Sequence, residues 1–396
     1  MGEWVRTKFG KLGELFDGPH ATPTRRSEGP YFLNISSLQS GRLVLSQSDH
    51  VSESDFVKWT RRVTPEAGDL LFSYETRIGE AALMPAEVRA CLGRRMALLR
   101  PNRSQVNPRF LLYFYLSPDF QRTIAKHTIH GATVSRIGLA SMPDWDIEIP
   151  SLGDQHSIAE VLGALDDKIA ANERLMHVAR DLANARFSHA LNGGLEIRVA
   201  DAAEMLSRGV SPKYVERGGV TVLNQKCVRN QRVSLSPARS MAPLSTRLDR
   251  LLRKNDVLVN STGVGTLGRT ARWTDSVEAT VDSHITIVRF DDAVVDPVCA
   301  GFGLLRLESA IESLSEGSTG QTELRRDLLG NLRLLVPPRA AQRQTAEELD
   351  KLDALERSSA IESAKLARTR DELLPLLMSG KVRAKDAETV LSQVLP

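Results

Sequence analysis

Residues 149–175 read IPSLGDQHSIAEVLGALDDKIAANERL. Ile158, Leu162, Leu165 and Ile169 recur in it at spacings of four, three and four, which draws one apolar stripe along a helix. Asp154 is the candidate N-cap. In the same register the seam continues through Asn172, Met176, Ala179 and Ala183, where a lone Asn fixes register at some cost in stability. A weaker echo begins at Val336, VPPRAAQRQTAEELDKLDALERS. Both stretches place a Gln five residues after a proline (Pro150 to Gln155, Pro337 to Gln342) and an Ala four residues later (Ala159, Ala346). Leu349, Leu352, Leu366, Leu373 and Leu377 give the second helix its register, interrupted by Glu356, Ser359 and Arg370.

Working outward, the echo extends to the rest of the chain. GPYFLNISSLQSGRLVLS from Gly29 answers GVTVLNQKCVRNQRVSLS from Gly219, at an offset of 190. AGDLLFSYETRIGEAAL around Asp69 matches KNDVLVNSTGVGTLGRTA around Asp256, at 187, and ACLGRRMALLRP answers ATVDSHITIVRF. NPRFLLYFYLSPDFQRTI parallels DPVCAGFGLLRLESAIES, and Gly131 and Thr133 parallel Gly320 and Thr322, both at 189. Five matches in one order at nearly one offset mean a duplication.

Each repeat reads as short strands with turn residues, one helix, and a final strand (DWDIEIP, NLRLLVP) that delivers the chain to a long helix. The expected fold is α+β: two duplicated β-rich domains, each with a helix, separated by long antiparallel coiled-coil helices. Antiparallel pairing follows because the first helix leads away from one domain and the second leads back. A helix of about 35 residues is roughly 50 Å long. The expected segments are 1–152 and 193–339 for the two domains, 153–192 and 340–380 for the helices, and 381–396 for a tail.

With 396 residues, 41% hydrophobic and 26% charged, the composition is that of a globular chain of two or more domains. No apolar run reaches a membrane span and MGEWVRTKFGKLGELF lacks the core of a signal peptide, so a cytoplasmic location is expected. Cys91, Cys227 and Cys299 are scattered and odd in number, which supports neither a disulfide framework nor a zinc knuckle. The net charge of +3 divides into +3 for 1–152, −2 for 153–192, +3 for 193–339 and −1 for the remainder. The positive excess lies in the two large segments, as a polyanion shared by two domains requires.

DQHSIAEVLGALDDKIAANERL at Asp154–Leu175, ARDLANARF at Ala179–Phe187 and RDELLPLLMSGKVR at Arg370–Arg383 resemble the conserved helical regions of type I restriction-modification specificity subunits. The resemblance covers nearly the whole chain. It implies two target recognition domains, each reading one part of a split site in double-stranded DNA, and a helical spacer that docks two DNA methyltransferase subunits and two motor-nuclease subunits. It also implies a subunit that is not itself an enzyme and holds no cofactor or metal. The second helical region departs from the first, with EELDKLDAL where the first has GALDDKI.

A self-contained DNA methyltransferase or nuclease is the opposing reading. An adenine methyltransferase needs an Asp or Asn before Pro-Pro and an aromatic after it to hold a flipped base. Here Pro337-Pro338 lies between Val336 and Arg339. STGVGTLGRT from Ser261 has the glycines of a cofactor loop, but strand-like TARW follows it, so a tight turn is the better reading. A scaffold without a DNA role is the third reading.

Polar loop residues at equivalent places in the repeats are the candidates for DNA contact. In the first repeat these are Asn34, Ser36, Ser37 and Gln39, then Tyr74, Thr76 and Arg77, and then Lys126, His130, Thr133, Ser135 and Arg136. In the second they are Asn224, Gln225 and Lys226, then Asn260, Ser261 and Thr262, and then Ser318, Thr319, Gln321 and Thr322. The stripe of Ile158, Leu162, Leu165 and Ile169 is the candidate partner-docking surface.

Overall fold

The computed structural model describes residues 4–19, 22–131, 134–216, 218–243, 248–314 and 323–387. The chain forms two compact units, residues 1–172 with 361–396, and residues 173–360. This division differs from the five segments read off the sequence, because each unit takes half of each long helix.

In the first unit, β1 (Val5–Lys8), β2 (Gly13–Asp17) and β3 (Arg26–Leu33) precede β4 (Leu70–Ser73), β5 (Ala81–Leu83), β6 (Ala90–Leu92) and β7 (Met96–Pro101). An antiparallel sheet runs in the order β2, β7, β4, β5, and β3 pairs in parallel with β6. Helices α1 (Pro108–Leu116) and α2 (Pro118–His127) follow, then β8 (Asp146–Ile149), which pairs with β1 and leads into α3 (Leu152–Ala190). One helix was expected where two stand. The reason is local: Pro118 cannot donate to a continuing helix, and Ser117 caps α2 through its hydroxyl, which accepts the Phe120 N–H.

The second unit repeats the plan with β9 (Leu195–Arg198), β10 (Ala203–Arg208), β11 (Val220–Leu223), β12 (Val257–Asn260), β13 (Thr270–Arg272), β14 (Ala279–Val281) and β15 (Ile285–Phe290). Helix α4 (Pro297–Leu305), two short helices at Glu308–Ser313 and Arg326–Asn331, strand β16 (Arg333–Val336) and helix α5 (Arg339–Met378) follow. Its sheet order is β10, β15, β12, β13, with β11 parallel to β14 and β9 antiparallel to β16, so each pairing has its counterpart in the first unit.

The glutamines of the opening motif explain why the sequence repeats them. Gln155 Oε1 accepts the backbone N–H of Asn107 at 3.0 Å, while its Nε2 donates to the Pro150 carbonyl at 3.0 Å. Gln342 does the same with Asp296 at 2.9 Å and Pro337 at 2.8 Å. Asn107 and Asp296 are in turn the N-caps of α1 and α4. One buried amide therefore joins a strand end, a long-helix start and a helix cap, satisfying backbone groups that nothing else reaches. The cap of α3 is Ser151, not Asp154. Its hydroxyl accepts the Asp154 N–H at 3.2 Å and donates to the Asp154 carboxylate at 2.8 Å, because the helix starts two residues before that Asp.

A second duplicated device holds each sheet. Arg100 grips Asp69 at 2.9 Å, and Arg289 grips Asp256 at 2.7 Å in the second unit. Burial pushes the Asp256 carboxyl up against the opposing pull of Arg289.

The two long helices pair antiparallel within each unit. In the first, Asp166 meets Arg370 at 2.7 Å and Asn172 donates to Glu362 at 2.7 Å. In the second, Arg180 bonds Glu356 and Arg186 lies 3.8 Å from Glu348. Two of the polar interruptions in the second helix, Glu356 and Arg370, are thus pairing residues, while Ser359 is buried. Arg232 donates from Nε to Glu356 at 2.9 Å, and Arg272, almost wholly buried, reaches Asp350 and Asp353, each at 2.8 Å. Charges buried this way remain tolerable only while every partner is present.

Replacing Gln155 or Gln342 with Ala should strand one N–H and one carbonyl, costing about 1–3 kcal/mol for each group left unsatisfied. The expected outcome in urea is a lower midpoint with an unchanged slope, of similar size for the two variants.

Candidate nucleic-acid interface

Three loops converge in the first unit. The connector Asn34–Arg42 follows β3, the turn Tyr74–Glu80 joins β4 to β5, and a hairpin pairs Thr128–Ile129 with Arg136–Ile137. Ser40 N–H donates to Glu80 at 2.8 Å, tying the first loop to the second. Ile137 N–H donates to the Tyr74 carbonyl at 2.8 Å, and Glu75 bridges to Arg136, tying the second to the third. Gln121 on α2 supports the turn by donating to the Gly79 carbonyl at 3.1 Å.

The second unit builds the same junction from other residues. Gln225, in the turn after β11, donates to the Thr262 carbonyl at 2.9 Å, and Asn260 donates to the Gln225 carbonyl at 3.0 Å. Leu324 N–H donates to the Ser261 carbonyl at 2.8 Å, and Thr262 bridges to Glu323. The glycines of STGVGTLGRT lie in this cluster. Gly263, Gly265 and Gly268 all have φ between 72° and 98°, and strand β13 follows them, so the stretch is a tight turn.

The candidates divide by exposure. Gln39, Thr76, Lys126, His130, Arg136 and Lys226 are exposed, while Asn34, Ser36, Arg77, Ser135, Asn224, Gln225 and Thr262 are half-buried. Ser37, Tyr74, Asn260 and Ser261 are buried. Asn34 and Asn224 spend their side chains on matching turns, accepting the N–H of Ser36 and Lys226 and donating to the carbonyls of Gln47 and Pro237. The Ser261 hydroxyl bonds that of Thr286. Burial and the nearby Asp17 push the Tyr74 phenol up to about 12, so it stays protonated. These buried groups hold the loops in shape, and the exposed ones around them are free to meet a ligand. Thr133, Ser318, Thr319, Gln321 and Thr322 lie outside the described residues.

Arg95 and His284 were missed. Arg95, in the turn before β7, donates to the Thr76 hydroxyl at 3.2 Å and pairs with Glu75 at 3.1 Å. His284, in the turn before β15, shares a hydrogen bond with the Thr262 hydroxyl at 2.8 Å. The signal was present, since ACLGRRMALLRP set against ATVDSHITIVRF puts Arg95 opposite His284.

The stripe of Ile158, Leu162, Leu165 and Ile169 corrects the docking expectation. All four are buried in the first unit's core with Phe110, Tyr113 and Leu366. A stripe of this width suits a helix that covers its own domain, at about 1.5–3 kcal/mol per side chain. Exposed apolar residues on the two long helices occur elsewhere, at Leu175, Val178, Leu182, Leu355 and Ile361. Among the described residues no helix is long and apolar enough to cross a membrane, and no group of three or more His, Cys, Asp or Glu is placed to hold a metal ion.

Residues 6–178 match the family of the type I restriction modification DNA specificity domain. The putative type I restriction enzyme MjaX specificity subunit of Methanocaldococcus jannaschii is 21% identical over 97% of this chain and 94% of its own length. The crystal structure of the type I restriction-modification system S subunit from M. genitalium superposes with a TM-score of 0.64 at 16% identity, covering 95% of this chain and 96% of that one. That likeness carries the fold.

Ile158→Asp with Leu165→Asp should unfold the first unit. Two carboxylates in an apolar core cost several kcal/mol, comparable with the 5–15 kcal/mol that holds a whole domain. Near-ultraviolet circular dichroism reads the loss, and a folded double mutant would return the stripe to the list of docking surfaces.

Proposed function

We infer that this chain, which resembles the specificity subunits of type I restriction-modification systems, is the DNA-reading and non-catalytic member of such an assembly. Each unit reads one half of a bipartite site in double-stranded DNA. Two methyltransferase subunits and two motor-nuclease subunits dock on the same chain and do the chemistry.

The observation that carries this reading is the duplicated loop cluster. Each unit joins its second and third loops by the same backbone bond, ties the first to the second through side chains, and fills the cluster with different residues: Thr76, Arg77 and Arg136 in one, and Gln225, Lys226 and Thr262 in the other. A constant scaffold with variable polar tips is what two different half-sites ask for, since base edges are told apart by donor and acceptor pattern. The exposed apolar positions Leu175, Val178 and Leu182 share one side of α3 at spacings of three and four, and they are the proposed docking stripe in place of the buried one.

Exchanging residues 1–152 for the equivalent segment of a relative should change one half of the methylated motif and leave the other half as it was. Sequencing the methylated bases of a host that expresses the assembled system before and after the exchange gives the answer. Change in both halves would sink independent reading, and a chain that enriches no motif from random duplex DNA in the presence of its partners would leave only a scaffold.

A further inference from the structure

The second unit carries a basic groove of about 830 Å³ beside its loop cluster. It is lined by Ser207, Arg208 and Gly209 at the end of β10, by Arg250, and by Glu323, Leu324, Arg325, Arg326 and Asp327. Leu324 is the residue whose N–H bonds the Ser261 carbonyl, so the groove opens next to the proposed reading loops.

Four arginines face two carboxylates there, and the carboxylates are already engaged. Arg208 pairs with Glu323 at 2.7 Å and donates to the Leu324 carbonyl at 3.2 Å, and Arg325 grips Asp327 through both Nε and Nη2. One cation, Arg326, is left over, and a second, Arg250, is only partly engaged. Arg250 is mostly buried; its Nε and Nη1 make no hydrogen bond among the described residues, and the Asp249 carboxylate comes only to 3.4 Å of Nε. Arg326 is exposed and has no ion pair among the described residues. A guanidinium is always charged, and buried donors without an acceptor are costly, so the unbonded Nε and Nη1 donors of Arg250 leave room for an acceptor beyond Asp249.

The first unit does without Arg208, Arg325 and Arg326. The first unit builds the same corner, with Gly18 N–H on the Met96 carbonyl at 2.9 Å where Gly209 N–H meets Ile285 at 3.0 Å, and with Ile137 on Tyr74 where Leu324 meets Ser261. In that corner Asp17 stands in place of Arg208, and Gly138 and Leu139 in place of Arg325 and Arg326. Among the described residues this positive charge stands at the corner of the second unit and not at that of the first.

We propose that this groove seats one backbone phosphate of duplex DNA between Arg250 and Arg326, with Arg208 and Arg325 as the fixed rim; the proposal rests on the DNA-reading function above. Phosphate contacts set the position of a protein on DNA without reading its sequence. The second unit is thus anchored on the backbone where the first has no equivalent hold.

The test measures binding of the full chain to a duplex of random sequence over a range of salt. Each neutralised phosphate steepens the plot of log affinity against log salt by about 0.9. Arg250→Gln with Arg326→Gln should flatten that slope by about 0.9, so that the drop in affinity between about 50 mM and about 200 mM salt shrinks about 3.5-fold. The paired Lys substitutions should keep the parent slope, and so should Arg343→Gln on the exposed face of α5, which removes a charge elsewhere. If the buried change weakens the fold in urea, Arg326→Gln alone reads the flattening from an exposed position. A parent slope retained in the double variant overturns the phosphate seat and leaves DNA reading intact. A parent chain that does not bind the duplex removes both. Calorimetry with inorganic phosphate supplies the remaining arm: phosphate binding lost in the double variant while the DNA slope stays unchanged makes the groove a small-anion site and overturns the proposal.

Discussion

Everything in each unit hangs on one buried amide. Gln155 and Gln342 each hold the first turn of a long helix against the strand before it and against the cap of a shorter helix forty-odd residues upstream. The carbonyls of Pro150 and Pro337 stand where a strand has ended and a helix has not begun, so no ladder satisfies them. A side chain with both a donor and an acceptor is the smallest group that closes this gap. Once it is in place, the strand pair β1–β8 or β9–β16, the sheet and the long helix are fixed with respect to one another inside the unit.

On that frame the two units have diverged where the fold allows it. Backbone bonds such as Ile137 to Tyr74 and Leu324 to Ser261 are kept, and so is the buried Asp–Arg pair behind each sheet. The helix pairing is not kept in kind. The first unit packs the apolar stripe and closes it with Tyr113 donating to Asp166 at 2.6 Å, whereas the second runs Arg180, Arg232 and Arg272 onto Asp353 and Glu356. Arg232 lies in the hairpin that follows the Gln225 turn, so in this unit the ionic network ties a loop-bearing segment to α5. A network of this kind confers a defined geometry more than it confers stability.

The division of labour in the loop clusters follows from the same economy. Asn34, Asn224 and Ser261 have the chemistry to touch a base, but they hydrogen-bond to the backbone beneath the loops, and the Asn260 amide nitrogen does the same. The longer side chains at the rim, Gln39, Arg136, Lys126 and Lys226 among them, stay exposed. Rigid turns carrying exposed polar tips let those side chains vary without endangering the core.

The sequence by itself determined the duplication, the α+β class, the two long helices and the strands that feed them, because local period and a repeated offset are properties of the chain. It also carried the Arg95 and His284 equivalence, which the aligned repeats contained unread. Only the tertiary structure decided what each face was for. An apolar stripe at Ile158–Ile169 looks the same in sequence whether it meets a partner or its own domain, and burial is a three-dimensional quantity. Glu356 and Arg370 read as interruptions of a seam because periodicity does not see the opposite charge that Arg180 or Asp166 brings from a distant part of the chain. The glutamine clamp was visible as a spacing, but its meaning depended on carbonyl and amide groups far along the chain, and those come together only when the unit folds.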